Sequence, residues 1–216
     1  TLAGFILGYP VALHEANRRP GRATRMLSGL ARRIYLPEGV RLKSLPAMTV
    51  MEAGLPVREE IRPLPPGLAR SKLDLPRDGK LLLVLGGSQG ALALNEWVQQ
   101  SFDELAAQGI NVLCLTGPKG TNNGMLESRN AQGRVTRAVF MSFCDEMALV
   151  LSSADLVVSR AGAGSIAEII RCRLPSILIP YPHAADNHQQ ENARFMEQQG
   201  AAIVLAQENI AGLTRE

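Results

Sequence analysis

Two runs carry the residue types that chemistry needs: Ser159-Arg-Ala-Gly-Ala-Gly-Ser-Ile-Ala-Glu168, and Pro180-Tyr-Pro-His-Ala-Ala-Asp-Asn-His-Gln-Gln-Glu-Asn-Ala193. In the first, a glycine-rich turn opens a helix, so free backbone amides and the positive end of the helix dipole are available to an anion such as a diphosphate. Ala163 and Gly164 lie in that turn, Ser165 can cap the helix and leave free amides in its first turn, and Glu168 follows three residues after Ser165. Two readings of that pair stand: Ser165 and Glu168 form a capping box for their own helix, or Glu168 accepts hydrogen bonds from the two hydroxyls of a ribose. In the second run Asp186 is placed to cap a helix, and Gln189 offers a donor and an acceptor together, which suits a pair of sugar hydroxyls. Asn192, one turn on, either holds the loop or contacts ligand.

A second turn has the same design: Leu81-Leu-Leu-Val-Leu-Gly-Gly-Ser-Gln-Gly-Ala91 is an apolar strand, a glycine-rich turn and a helix start. It lacks the Gly-Lys-Ser/Thr of a phosphate-binding P-loop and the Gly-x-Gly-x-x-Gly of dinucleotide folds, which disfavours NTP hydrolysis and NAD chemistry. Ser88 is the hydroxyl placed nearest a ligand there. Glycine in such a turn also serves a tight strand-to-helix connection, so this turn alone does not identify a site. His183, Asp186 and His188 fall within six residues, but their spacing matches no zinc signature and no metal is expected.

Short apolar runs alternating with amphipathic stretches must position these turns, a pattern that predicts βαβ units and a parallel sheet. Strands are expected at 81–85, 112–115, 135–140, 156–158, 177–179 and 202–205, and helices at 91–107, 144–151, 165–172 and 187–198. Continuous apolar strands fit a sheet covered on both faces, a doubly wound α/β domain. Upstream, 10–15 reads as a strand end, 21–30 as a helix, and 33–36 and 48–53 as strands. The proline-rich 62–67 reads as a linker. The expected division is 1–60 as part of one α/β domain, 61–70 as linker, and 71–216 as the ligand-binding domain. Too few elements precede residue 60 to close a core, and Thr1 is no initiator methionine, so upstream sequence is expected. A helix is expected to begin at 209.

The chain has 216 residues, enough for a sizeable core, and an ordinary globular composition, 46% hydrophobic and 20% charged. No stretch approaches the roughly 18 to 20 apolar residues of a membrane-spanning helix. Cys114, Cys144 and Cys172 lie far apart and read as reduced thiols of a cytosolic protein. Before residue 45, Arg18, Arg19, Arg22, Arg25, Arg32, Arg33, Arg41 and Lys43 face only Glu15 and Glu38. That basic segment is either a solvated face or an attraction for a phosphate-rich partner or an anionic membrane surface. Nucleic acid is disfavoured because the segment offers almost no aromatic side chains for base stacking.

With both turns and the Asp186 to Ala193 run in order, the chain resembles the MurG family, the UDP-N-acetylglucosamine transferases of glycosyltransferase family 28 that make lipid II. Upstream, Leu13-His-Glu-Ala-Asn17, Pro20-Gly-Arg-Ala-Thr-Arg-Met-Leu-Ser28 and Gly54-Leu-Pro-Val-Arg58 are similar to the family's His-Glu-Gln-Asn, Pro-Gly-x-x-Asn-Arg and Gly-Asn-Pro-Val-Arg segments. The resemblance implies a GT-B fold: the donor-binding half of the enzyme plus the last part of its acceptor half. It implies that Gly164, Ser165 and Glu168 hold diphosphate and ribose, that Ser88 contacts phosphate, and that Gln189 reads the N-acetylglucosamine hydroxyls; Ala163 and Asn192 are counted with them as candidate substrate-binding residues. Backbone near Cys144, in Phe143-Cys-Asp-Glu-Met147, would meet uracil, and Asn17 and Arg58 would reach the cleft from the other half. The implied reaction is inverting, with the muramyl 4-hydroxyl of lipid I attacking the anomeric carbon of UDP-N-acetylglucosamine at the cytoplasmic face of an anionic inner membrane, without a cofactor.

The catalytic base is implied to lie upstream of Thr1, in a glycine-rich histidine loop, and the chain alone is expected to be inactive. The chain departs from the family pattern at Ala16, Leu55 and Thr24, on the cleft side, and at Arg173, where a helix-ending glycine is usual. Rival readings are a related glycolipid transferase, a UDP-sugar epimerase of the same architecture, or a non-catalytic nucleotide-sugar-binding module.

Overall fold

A computed structural model of the chain describes residues 1–42, 49–87, 90–118, 124–130 and 132–214. The first unit contains α1 (Leu2–Ile6), β1 (Ala12–His14), α2 (Arg22–Leu27) with a 3-10 turn at Ser28–Leu30, β2 (Arg33–Leu36) and β3 (Val50–Glu52). Its three strands pair in parallel in the order β1-β2-β3. The expected strands and helix are therefore present, with α1 in addition; Met48 and Lys43 lie outside the described residues. Ile34, Leu36 and Val40 form only a small core, as expected of a unit with so few elements.

The segment expected to be linker is pinned instead. Ile61 is fully buried in the core of the second unit, and its carbonyl accepts from Arg171 Nε at 3.0 Å. Within 61–70 a helix begins, α3 (Pro66–Lys72). Pro66 is tolerated there because the first helical residue needs no amide donor. The buried Arg70 guanidinium ties α3 to the sheet, donating to the Ser153 and Gly79 carbonyls and pairing with Asp155 at 2.8 Å.

The second unit contains β4 (Lys80–Leu85), α4 (Leu92–Ala107), β5 (Ile110–Leu115), β6 (Gly124–Arg129), β7 (Val135–Met141), α5 (Met147–Ser153), β8 (Leu156–Ser159), α6 (Ala163–Cys172), β9 (Ser176–Leu178), α7 (His188–Gln198) and β10 (Ala202–Val204). The sheet order is β10-β9-β8-β4-β5-β7-β6. All six expected strands are there, all mutually parallel. In β4 the alternate residues Leu81, Leu83 and Leu85 face a core with α5, α6 and α7, while Leu82 and Val84 face a second core with α4. That is the doubly wound architecture.

The sheet is not purely parallel, because β6 pairs antiparallel with β7 at one edge. Its residues Gly-Met-Leu-Glu-Ser-Arg are nearly all exposed and show no apolar period, which is why no strand is legible there. A tight turn makes it: Asn130 Oδ1 accepts from the amides of Gln132 and Arg134, Gly133 has φ +75°, and Glu127 meets Arg137 across the strands at 2.7 Å. The chain end described is a 3-10 segment at Gln207–Gly212, where an α-helix was expected to begin.

Candidate functional site

Strand β4 leads through α4 to β5 on one side, and β8 leads through α6 to β9 on the other. Ligands of open α/β sheets bind beyond the carboxyl ends of the strands at such a reversal. The two glycine-rich turns leave these adjacent strands side by side: Leu85 pairs with Ser159, and Arg160 N donates to Leu85 O at 3.1 Å.

The two turns use glycine differently. A Cβ on Gly86 would lie 2.3 Å from Ala91 N, and one on Gly90, at φ +73°, would lie 2.3 Å from Thr116 O. The backbone itself forbids side chains there. Around Gly162 and Gly164 an added Cβ meets nothing within 4 Å, so the amino end of α6 is open to approach from outside. Ser88 lies outside the described residues.

The capping-box reading of Ser165 and Glu168 does not hold. The N-cap of α6 is Gly162, with no side-chain cap bond, so Ser165 stands at the third helical position and Glu168 at the sixth. The half-buried Glu168 has its pKa raised by burial, partly offset by the charge of Arg58. Arg58 itself is exposed and reaches Glu60 at 3.5 Å. Asp186 is not a cap either. It adopts φ +53°, the cap of α7 is Asn187, and the Asp186 carboxylate pairs with Arg25 at 3.1 Å and Arg22 at 3.9 Å.

His183, Asp186 and His188 are employed separately: His183 lies edge-on to Tyr181, and His188 Nδ1 sits 2.6 Å from the Ala185 carbonyl. Cys144 lies in the turn before α5 with its side chain packed on the core. The expected helix at 144–151 begins three residues later, at Met147. The Cys114 thiol is buried and its pKa pushed up to about 12. Gln189 accepts from Tyr181 N through Oε1 at 2.9 Å.

Asn192 is 4% exposed and latches the two units. Its Nδ2 donates to Asn17 Oδ1 at 3.1 Å and to the Ala161 carbonyl at 3.1 Å, and its Oδ1 accepts from Arg18 N at 2.9 Å. Of its two sequence readings, holding the loop is the one these bonds describe. Asn17 is in turn set by Glu15, a buried carboxylate that accepts from Asn17 N, Asn17 Nδ2, Gly21 N and Thr24 Oγ1. Burial raises the Glu15 pKa, yet the four donors outweigh it and hold the group below the ordinary carboxylate range. A carboxylate so engaged holds Asn17, Gly21 and Thr24 in place.

Arg18 stacks on Phe195, with 3.9 Å from guanidinium carbon to ring centroid. Arg22 and Arg25 stay exposed to solvent while pairing with Asp186 of the other unit, so part of the basic segment also serves the contact between the units. A cleft of about 430 Å³ separates Ala16, Arg18 and Leu55 from Ala163, Ile166 and Phe195. Two of the departures from the family pattern, Ala16 and Leu55, thus share one wall. A third, Thr24, keeps a hydroxyl on Glu15. Glu15 and Arg160 are the residues whose importance was not legible: a lone carboxylate amid arginines, and an arginine ending an apolar strand, were the signals.

Residues 81–214 match the glycosyltransferase family 28 C-terminal domain. The chain is 52% identical over 200 residues to the UDP-N-acetylglucosamine--N-acetylmuramyl-(pentapeptide) pyrophosphoryl-undecaprenol N-acetylglucosamine transferase of Opitutus terrae, covering 93% of this chain and 53% of that one. To the transferase of the same name from Synechococcus elongatus it is 39% identical over 209 residues, covering 96% and 55%. The chain spans about half the length of these curated relatives. The crystal structure of Acinetobacter baumannii MurG superposes with a TM-score of 0.65 at 24% identity, over 99% of this chain and 59% of that one. A calicheamicin glycosyltransferase superposes with 0.60 at 14% identity, over 99% and 61%. Both share the GT-B fold, and with the family domain matched across the whole parallel sheet, the chain belongs to glycosyltransferase family 28.

Proposed function

We propose that this chain is the donor-binding portion of an inverting transferase that moves N-acetylglucosamine from UDP-N-acetylglucosamine to the muramyl 4-hydroxyl of undecaprenyl-diphosphate-MurNAc-pentapeptide. The observation that carries the reading is the open amino end of α6, whose glycines no packing demand explains, beside a half-buried carboxylate under the influence of Arg58. The amides of Ala163, Gly164 and Ser165 take the diphosphate, where the helix dipole favours negative charge. Glu168 accepts from the ribose hydroxyls, backbone at Cys144 meets uracil, and Gln189 reads the sugar. Arg58 and the dipole stabilise the departing UDP, the charge that develops as the glycosidic bond breaks. Asn192 and Asn17 hold the two walls of the cleft in register.

Glu15 does not serve as the base for the muramyl hydroxyl, since its oxygens are engaged. The base belongs to residues outside this chain, and the chain alone turns over no lipid I. A peripheral seat on an anionic cytoplasmic membrane face is supported by the exposed apolar side chains of Leu2, Phe5, Ile6 and Tyr9 beside the basic segment. No helix among the described residues is long and apolar enough to cross a membrane.

Isothermal titration tests the donor site: both UDP and UDP-N-acetylglucosamine bind, and absence of binding by either at millimolar concentration overturns the proposal. Turnover of lipid I by the 216 residues alone would overturn the assignment of the base.

A further inference from the structure

Arg160 follows the last residue of β8 and is 6% exposed. An isolated cation in such a place is costly unless hydrogen-bonded or paired, and no carboxylate pairs with it among the described residues. Its partners are neutral. Nη1 donates to the carbonyls of Ile179 at 3.1 Å and Pro180 at 3.4 Å, and Nη2 donates to Gln207 Oε1 at 2.5 Å. The guanidinium carbon also lies 5.5 Å from the Tyr181 ring centroid. A planar fork with fixed donor directions spans these acceptors, where a lysine ammonium offers only a point charge.

One peptide unit joins this cation to the site. The Pro180 carbonyl that accepts from Arg160 and the Tyr181 amide that donates to Gln189 Oε1 at 2.9 Å belong to the same peptide group, which is planar and rigid. Fixing one end of that plane fixes the other. Because an N–H faces it, Gln189 must turn its amide oxygen to Tyr181, which leaves its Nε2 donors for a ligand.

We infer that Arg160 is a positioning residue for sugar recognition: it sets the Pro180–Tyr181 peptide, and through it the orientation of the Gln189 amide, without touching the ligand. The inference rests on the donor-site reading proposed above. It adds to that reading a reason why an arginine ends an otherwise apolar strand.

The test is titration of the 216-residue chain with UDP and with UDP-N-acetylglucosamine, for wild type, Arg160→Lys, Gln189→Ala and the double variant, with thermal melting to verify folding. Arg160→Lys keeps the charge and loses the fork. The ratio of UDP-N-acetylglucosamine affinity to UDP affinity is expected to fall about tenfold, while UDP affinity itself stays within about twofold. In the Gln189→Ala background the same substitution adds less than about a twofold further loss, because the two act in series. If Arg160→Lys does not fold, Gln207→Leu, which removes one acceptor, carries the same expectation with a shift of about threefold. Parallel weakening of both ligands would show that Arg160 merely holds the turn, and an unchanged ratio would show that it does not orient Gln189; either overturns the inference and leaves the donor site standing. A wild-type chain that binds neither ligand removes the donor reading and the inference together.

Discussion

The turns after β4 and β8 look alike as sequence, each a strand running through clustered glycines into a helix, yet they are glycine-rich for opposite reasons. After β4, Gly86 and Gly90 are demanded from within, by backbone atoms 2.3 Å from where a Cβ would sit. After β8, Gly162 and Gly164 face open space, so the absence of side chains there serves whatever approaches α6. Glycine enrichment by itself therefore does not mark a ligand; what surrounds each glycine tells the two turns apart.

The sharpest way to break this comparison is a matched pair of substitutions. Gly86→Ala should cost more than about 3 kcal/mol in denaturant unfolding, because backbone atoms must shift to admit the methyl. Gly164→Ala should instead stabilise α6 by about 0.5–1 kcal/mol, while UDP affinity measured by titration falls. Equal stability losses at both positions would remove the distinction.

A smaller effect is expected at Glu168. Without a cap bond to lose, Glu168→Gln should leave stability at neutral pH unreduced while weakening UDP binding by about 1–3 kcal/mol. The pH dependence has a definite sign. The folded pKa of Glu168 is raised above 4.5 by burial, so its contribution to stability is present below the unfolded pKa and lost as pH rises through the folded one. UDP affinity should run the other way, falling as pH drops through that raised value, and Glu168→Gln should flatten both profiles. Glu15 has a lowered pKa, so the stability it contributes is present above the ordinary carboxylate range and is lost as pH falls through its folded value.

The smallest effect sharpens the comparison at a third position. Arg173 ends α6 in the left-handed region at φ 53°, where glycine is favoured and an arginine is strained. Arg173→Gly should raise stability by about 0.5–1 kcal/mol in denaturant unfolding and leave UDP affinity unchanged.

Much of the fold was legible because its strands advertise burial on both faces. Leu81 through Leu85 has no polar residue, and nothing but a parallel, helix-covered strand suits it. Strand β6 was not legible, because an edge strand with solvent on most of its side chains carries no apolar period. Its existence depends on the turn at Asn130 and on pairing to β7. The candidate site was legible as an order of motifs. Its internal division of labour was not, since Ser165 and Glu168 carry capping-box spacing but the helix begins two residues before Ser165, at Ala163.

The sequence by itself determined the alternation of strands and helices, the placement of two glycine turns on one rim, and the family pattern that links them. Those are local properties, written in the period of apolar residues and in what glycine permits. Only the tertiary structure decided which glycines answer to packing, that Glu15 is spent on four donors, that Asn192 bridges to Arg18 across 174 residues, and that a single peptide couples Arg160 to Gln189. Such assignments depend on which donor meets which acceptor at about 3 Å, and between residues far apart in the chain that is settled by packing rather than by local sequence.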